Sequence, residues 1–167
     1  MYHENTASQP DGGKSGQVQA APADQRLVIE SRFGALAVAA DHAVTFSNGL
    51  LGFEEYNHFA LAELADPRYR QFKVLQCLDD HQLSFLVMPL DPASGIVDAS
   101  DLAAACKKLS IEPDDLVILL VVTIRKTPDN GVEVSGNLRA PLLIDTAKRT
   151  GVQHVLSSET YPVRYPI

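Results

Sequence analysis

Five histidines, two cysteines and two aspartate doublets have the widest chemical repertoire in this chain. The histidines are His3, His42, His58, His81 and His154. No two share the i, i+4 spacing of a zinc-binding helix, and none sits in a C-x-x-C setting. They read as ordinary surface or partly buried side chains. Cys77 falls in a stretch with strand character and Cys106 in one with helical character. Both read as free, buried, small hydrophobes, and one disulfide between them is the alternative. There is no G-x-S-x-G elbow for a nucleophilic serine. Gly12-Gly13-Lys14-Ser15-Gly16 has the glycines and lysine of a phosphate loop, without its spacing or a preceding strand. Asp79-Asp80 and Asp114-Asp115 would each need a convergent third group to hold a metal. They read as solvated turns. The expectation is therefore a non-enzyme with no cofactor and no metal.

The segment Gly49-Leu50-Leu51-Gly52-Phe53-Glu54-Glu55 is of another kind. Two glycines bound a short apolar stretch, and two carboxylates follow it. In one reading the glycines turn the chain and the apolar residues plug the core. In the other, an apolar patch with an acidic rim grips a protein partner. The two are compatible, with Phe53 inside and the glutamates outside.

Short strands must carry these residues. Leu27-Val28-Ile29 and Leu36-Ala37-Val38 flank Phe33-Gly34 as a hairpin. Val44-Thr45-Phe46 and Phe59-Ala60-Leu61 are further strands. Residues 72–78 and 83–88 form a strand pair around the 79–82 turn, and Pro89 and Pro92 are expected to end it. Residues 100–109 make one helix, capped by Ser100, with Leu102, Cys106 and Leu109 on one face. The run 116–124 is expected to be a strand buried on both faces. The Asn130-Gly131 turn leads to strands at 132–138, 142–144 and 152–156. About nine short strands and one helix, without an α/β repeat, predict a mostly β fold: a compact antiparallel β-barrel-like domain with one short helix.

At 167 residues and 46% hydrophobic, the chain is expected to form one cored domain. Residues 1–26 hold almost no large apolar side chains and read as a disordered tail, with the domain at 27–167. The net charge is −7, of which the domain carries −6. That sign disfavours direct nucleic-acid binding and suits a basic protein partner. No apolar run reaches the roughly 18 residues of a membrane span. No secretory signal is visible, so the cytoplasm is the default.

Four stretches, in order, resemble the flagellar assembly factor FliW family. They are Phe33-Gly34 with Leu36-Ala37-Val38, and Thr45-Phe46-Ser47-Asn48-Gly49-Leu50-Leu51-Gly52-Phe53-Glu54. Next come Leu75-Gln76-Cys77-Leu78 with Phe85-Leu86-Val87 and Asp91-Pro92. The last is Asn137-Leu138-Arg139-Ala140-Pro141-Leu142-Leu143-Ile144, followed by Arg149, Gly151-Val152-Gln153 and the 161–167 end. The family commonly has proline where Leu51 and Ser47 stand. The resemblance implies a barrel-like β fold and a partner-switching role in bacteria. Such proteins bind CsrA, a basic RNA-binding translational repressor, away from its RNA surface, and relieve repression of flagellin mRNA. They also bind flagellin, which frees CsrA again. The expected partner-binding residues are Phe53, Glu54, Glu55, Asp79, Asp80 and Asn137. Asn137 has a plainer reading too, as a turn residue satisfying backbone groups. Two other functions stay open at this point: a flagellin-only chaperone, and a small-ligand-binding barrel or enzyme.

Overall fold

The computed structural model describes residues 26–39 and 42–167. The expected tail, apart from Arg26, and the glycine-rich stretch 12–16 lie outside them. The strands are β1 (Arg26–Ser31), β2 (Gly34–Ala39), β3 (Val44–Thr45), β4 (His58–Glu63), β5 (Lys73–Cys77), β6 (Ser84–Leu90), β7 (Leu116–Lys126), β8 (Val132–Gly136), β9 (Leu142–Asp145), β10 (Thr150–Gln153) and β11 (Tyr165–Pro166). The α-helix among the described residues is α1 (Ala99–Leu109).

The long apolar strand β7 organises the fold. Its residues Leu116–Leu119 pair with β9, Val121 to Ile118 pair with β6, and Val122 to Lys126 pair with β8. The first two pairings close a ring running β7–β6–β5–β4–β3–β10–β9 and back to β7. Beyond it, β8 and then β11 extend outward from the far half of β7. The fold is thus mostly β and barrel-like, with one helix. One seam departs from the antiparallel expectation. β3 and β10 run parallel through Thr45 and Thr150, where Thr45 N–H donates to the Arg149 carbonyl at 2.9 Å. A two-residue hairpin can join only antiparallel strands, and this seam joins segments about a hundred residues apart.

The barrel has a filled interior and two outer covers, so its strands are apolar on both faces. Phe46, Phe59, Leu75, Val87, Leu119 and Leu142 fill the inside. Leu102, Ala105 and Cys106 of α1 cover Ile118, Leu120 and Leu143 on one outer side. Ile29, Leu36 and Val38 of the β1–β2 hairpin cover Ala60, Ala62 and Val74 on another. Alternate residues of β7 therefore enter different cores, which explains its unbroken run of large aliphatics. The double burial ends where β7 leaves the ring: Ile124, expected inside, is 58% exposed.

Other local details also differ from expectation. The helix is capped by Asp98, not Ser100. The Asp98 Oδ1 accepts from Ser100 N–H at 2.7 Å, and the charged cap starts the helix at Ala99. Pro89 does not end β6; it lies opposite Leu119. Past Val87, β6 has lost β5 as a neighbour, and a strand with a free side tolerates a missing N–H. β8 ends at Gly136, short of the expected Leu138: Asn137 N–H still reaches the Val121 carbonyl in register, but Leu138 N–H turns away to the Pro162 carbonyl. β10 lies earlier than 152–156. Gly151, which gives no apolar signal, pairs with Ile144 under the Phe46 ring, and an added Cβ would come within 2.5 Å of that ring. Both cysteines are free and buried.

Candidate functional site

The glycine-bounded loop is a closed, pinned structure. At its base, Phe46 N–H donates to the Asn57 carbonyl at 2.8 Å, and Asn57 Nδ2 donates to the Phe46 carbonyl at 2.7 Å. Within it, Phe53 N–H reaches the Leu50 carbonyl at 2.7 Å. Gly49 makes this fold possible. It holds φ +60°, and a Cβ there would lie 2.6 Å from Glu54 Cα and collide with the Phe53 carbonyl. Gly52 also has positive φ, +84°, but faces open space. Gln153 of β10 ties the tip down, its Oε1 accepting from Leu51 N–H at 2.9 Å.

The side chains sort by direction. Leu50 is buried. Phe53 is half-buried, its ring edge-on to Phe85 with centroids 5.2 Å apart. Glu54 and Glu55 are exposed. The Glu54 carboxylate accepts from Gly52 N–H at 2.9 Å, and the backbone N–H groups of Gly52 and of Glu54 itself hold its pKa below the ordinary range. Sequence reasoning missed Leu51 as the outward apolar residue; it is 58% exposed.

The Asp79-Asp80 turn docks against this loop through one carboxylate. Asp79 Oδ2 accepts from Asn57 N–H and His58 N–H, both at 2.8 Å, and its Oδ1 lies 2.9 Å from His58 Nδ1. Desolvation is the largest influence on Asp79 and pushes its pKa up. The His58 and Asn57 donors together outweigh it, so the net direction is down. Asp80 lies beside Tyr56, whose hydroxyl pKa is raised first by desolvation and then by the negative Asp80 and Glu55. Glu55, Tyr56 and Asp80 therefore share one neighbourhood.

A fully buried side chain supports the turn from below. Gln76 Nε2 donates to the carbonyls of Cys77, His81 and Leu83 at 2.9, 3.1 and 3.1 Å. Asp80 N–H points to Cys77 Sγ at 3.3 Å. Burial pushes the Cys77 thiol pKa up, which keeps it protonated and poorly nucleophilic.

Glu55 and Asp80 thus flank Tyr56, Asp79 clamps the exit of the loop, and Glu54 folds back onto Gly52. Phe53 turns inward against the barrel core. Asn137 goes elsewhere. Its Oδ1 accepts from Ala140 N–H at 3.1 Å in the turn between β8 and β9. His58, which grips Asp79, and Gln76 were not singled out from sequence as site residues. Gln76 stood in plain view in the Leu75-Gln76-Cys77-Leu78 motif, as a polar residue inside an apolar strand. No group of three or more His, Cys, Asp or Glu residues able to hold a metal is present among the described residues. No helix among them is long and apolar enough to cross a membrane.

The family described as FliW protein matches residues 27–167. The chain belongs to the FliW family. A flagellar assembly factor FliW from Syntrophus aciditrophicus (strain SB) is 32% identical over 141 residues, covering 84% of this chain and 86% of that protein. Another, from Alkaliphilus metalliredigens (strain QYMF), is 33% identical over 142 residues, with the same coverage. A crystal structure of the flagellar assembly factor FliW aligns with TM-score 0.62, covering 84% of this chain and 95% of that one. At 24% identity, that likeness speaks for the fold alone. In this FliW-family chain the characteristic 45–54 segment is the pinned loop, and the Leu75–Leu78 stretch carries the glutamine beneath the acidic turn.

Proposed function

We propose that this chain is a non-enzymatic, cytoplasmic regulatory protein that binds CsrA and flagellin in turn. Bound to CsrA, it relieves repression of flagellin translation. When unexported flagellin accumulates, flagellin takes the protein and frees CsrA. The acidic face supports this reading most directly. A basic partner is attracted to Glu54, Glu55, Asp79 and Asp80, which stand on a platform already fixed by backbone hydrogen bonds. Such a surface loses little conformational freedom on binding. Phe53 contributes by holding the loop from beneath, and Asn137 by shaping the turn before β9. The chain's net charge of −7 speaks against direct RNA binding, so relief of repression acts through the protein partner.

The test is a gel shift in which the protein is titrated into a CsrA–flagellin-leader RNA complex, with flagellin added last. RNA release that flagellin reverses is the expected result. RNA that stays bound throughout overturns the switch and leaves a flagellin-only chaperone. The double variant Glu54→Lys with Glu55→Lys is expected to weaken CsrA binding by about tenfold, since like charge at a steered interface slows encounter. Its melting temperature should barely move, because both side chains are exposed. Unchanged affinity would remove the loop from the interface.

A further inference from the structure

A second surface has the opposite character. A cleft of about 560 Å³ opens between the β1–β2 turn, the segment 64–72 and the β7–β8 hairpin. Its walls include Phe33, Leu64, Tyr69, Phe72, Ile124 and Val132. A monomer normally hides such side chains, yet Tyr69, Ile124 and Val132 are 48%, 58% and 64% exposed. Contiguous apolar surface of this kind marks interaction sites.

The charges around it are mostly positive, in a chain that is otherwise acidic. Arg32 lines the adjoining hollow with Phe33, Leu86 and Ile124, and its guanidinium stands 5.0 Å from the Phe33 ring centroid. Its guanidinium donates to a neutral acceptor, the Ser84 carbonyl at 2.6 Å, so its charge is not cancelled there. Arg68 stands 5.7 Å from the Tyr69 ring centroid. Lys126 is the cross-strand neighbour of Val132, on the same face as Ile124. The carboxylate lining the cleft, Asp66, is already engaged by Arg68 through Nε and Nη2 at 2.6 to 3.1 Å. With Arg68 and Asp66 paired, Arg32 and Lys126 are the uncompensated cations beside the cleft, in a chain whose net charge is −7.

We propose that this cleft docks an acidic amphipathic segment of a partner protein, its apolar side chains in the cleft and its carboxylates on Arg32 and Lys126. The chain's overall charge repels such a segment from most of the surface, so the local reversal of sign guides it to one place. An apolar face laid into a groove is a common mode of peptide recognition. The cleft shares no lining residue with Glu54, Glu55, Asp79 or Asp80, and it stands or falls independently of the CsrA reading.

The test uses the full chain and a fluorescein-labelled helix-forming peptide with Leu at i, i+3, i+4 and i+7 and Glu elsewhere. A second peptide carries Lys in place of Glu. Fluorescence anisotropy should show saturable binding of the Glu peptide. Ile124→Asp with Val132→Asp should weaken it at least tenfold, and so should Arg32→Glu with Lys126→Glu. All four side chains are exposed, so melting temperatures should hold. Binding of the Lys peptide, drawn to the acidic face, should be indifferent to both variants. Absence of saturable Glu-peptide binding overturns the proposal, as does binding that ignores both double variants. If only phosphatidylglycerol vesicles bind, and the variants abolish that, the cleft is a lipid site and the peptide reading fails.

Discussion

The acidic loop and the apolar cleft are built by opposite means. The loop is made by turn geometry and hydrogen bonds at single atoms. Gly49 lets it fold on itself, Glu54 bonds to Gly52 two residues back, and Asp79 clamps its exit. Its side chains are presented because its backbone is fixed. The cleft is made by assembly. Phe33, Tyr69, Ile124 and Val132 come from separate elements, and its shape follows from how the barrel and hairpins meet. The loop's binding residues are thus mounted on a frame that can be broken at one atom. The cleft's outermost residues can be exchanged without touching the frame.

That contrast predicts its largest effect at Gly49. Gly49→Ala forces a Cβ against the Phe53 carbonyl and the Glu54 backbone, neither of which can rotate away. It also places alanine in the left-handed region, which alone costs about 1 kcal/mol. Together with the backbone clash, the expected loss is about 3 kcal/mol. For a chain of this size that lowers Tm by roughly 10 °C. Gly52→Ala is the control, since it has positive φ but open space, and should cost only about 1 kcal/mol. Equal losses in the two variants, measured by thermal unfolding, would show that the close approach at Gly49 does not hold the loop.

The second effect is smaller and depends on pH. Asp79→Asn keeps an amide oxygen but loses the charge that accepts from Asn57 and His58, a loss of about 1 kcal/mol near neutral pH. The folded pKa of Asp79 lies below its ordinary value. Its contribution is therefore complete above the unfolded carboxylate pKa of about 4 and fades as pH falls through the lower folded value. The stability gap between the native chain and the variant should stay constant from neutral pH down to that region, then close. Denaturant titrations across that range measure it. A gap that closes while the pH is still near neutral would assign the clamp to another group.

The same contrast decides what could be read from the sequence. The loop was legible because its causes are neighbours: two glycines three apart, an apolar pair between them and two glutamates after. The β1–β2 hairpin and α1 were legible for the same reason. What lies far apart in sequence was not. The Asp79 clamp joins residues 21 and 22 positions apart. The parallel seam joins Thr45 to Thr150, and β11 has two residues whose partners are in β8. Gly151 gives no strand signal, yet only a residue without a side chain fits beneath Phe46. The cleft was the least legible. Ile124 belongs to a run that reads as buried throughout, and its exposure follows from β7 leaving the ring after Val121, a property of the closed sheet rather than of the run.

Ile124 also gives the smallest expected effect, and the one that tests the contrast most sharply. Ile124→Ser removes a large aliphatic side chain that is mostly in water, at a position where β7 pairs with β8 alone. Serine suits a strand less well than isoleucine, but the ladder bonds are main-chain and survive. Little apolar burial is lost, so the change in stability should stay within about 0.5 kcal/mol. The same truncation at Ile118, in the closed part of β7 and 1% exposed, should cost several times more, about 4 kcal/mol, because it opens a cavity between barrel and helix. One strand would then contain a structural half and a spare half. If Ile124→Ser proved as damaging as Ile118→Ser, the apolar side chains of the β7–β8 hairpin would be part of the core after all. Their exposure would then need no partner to explain it.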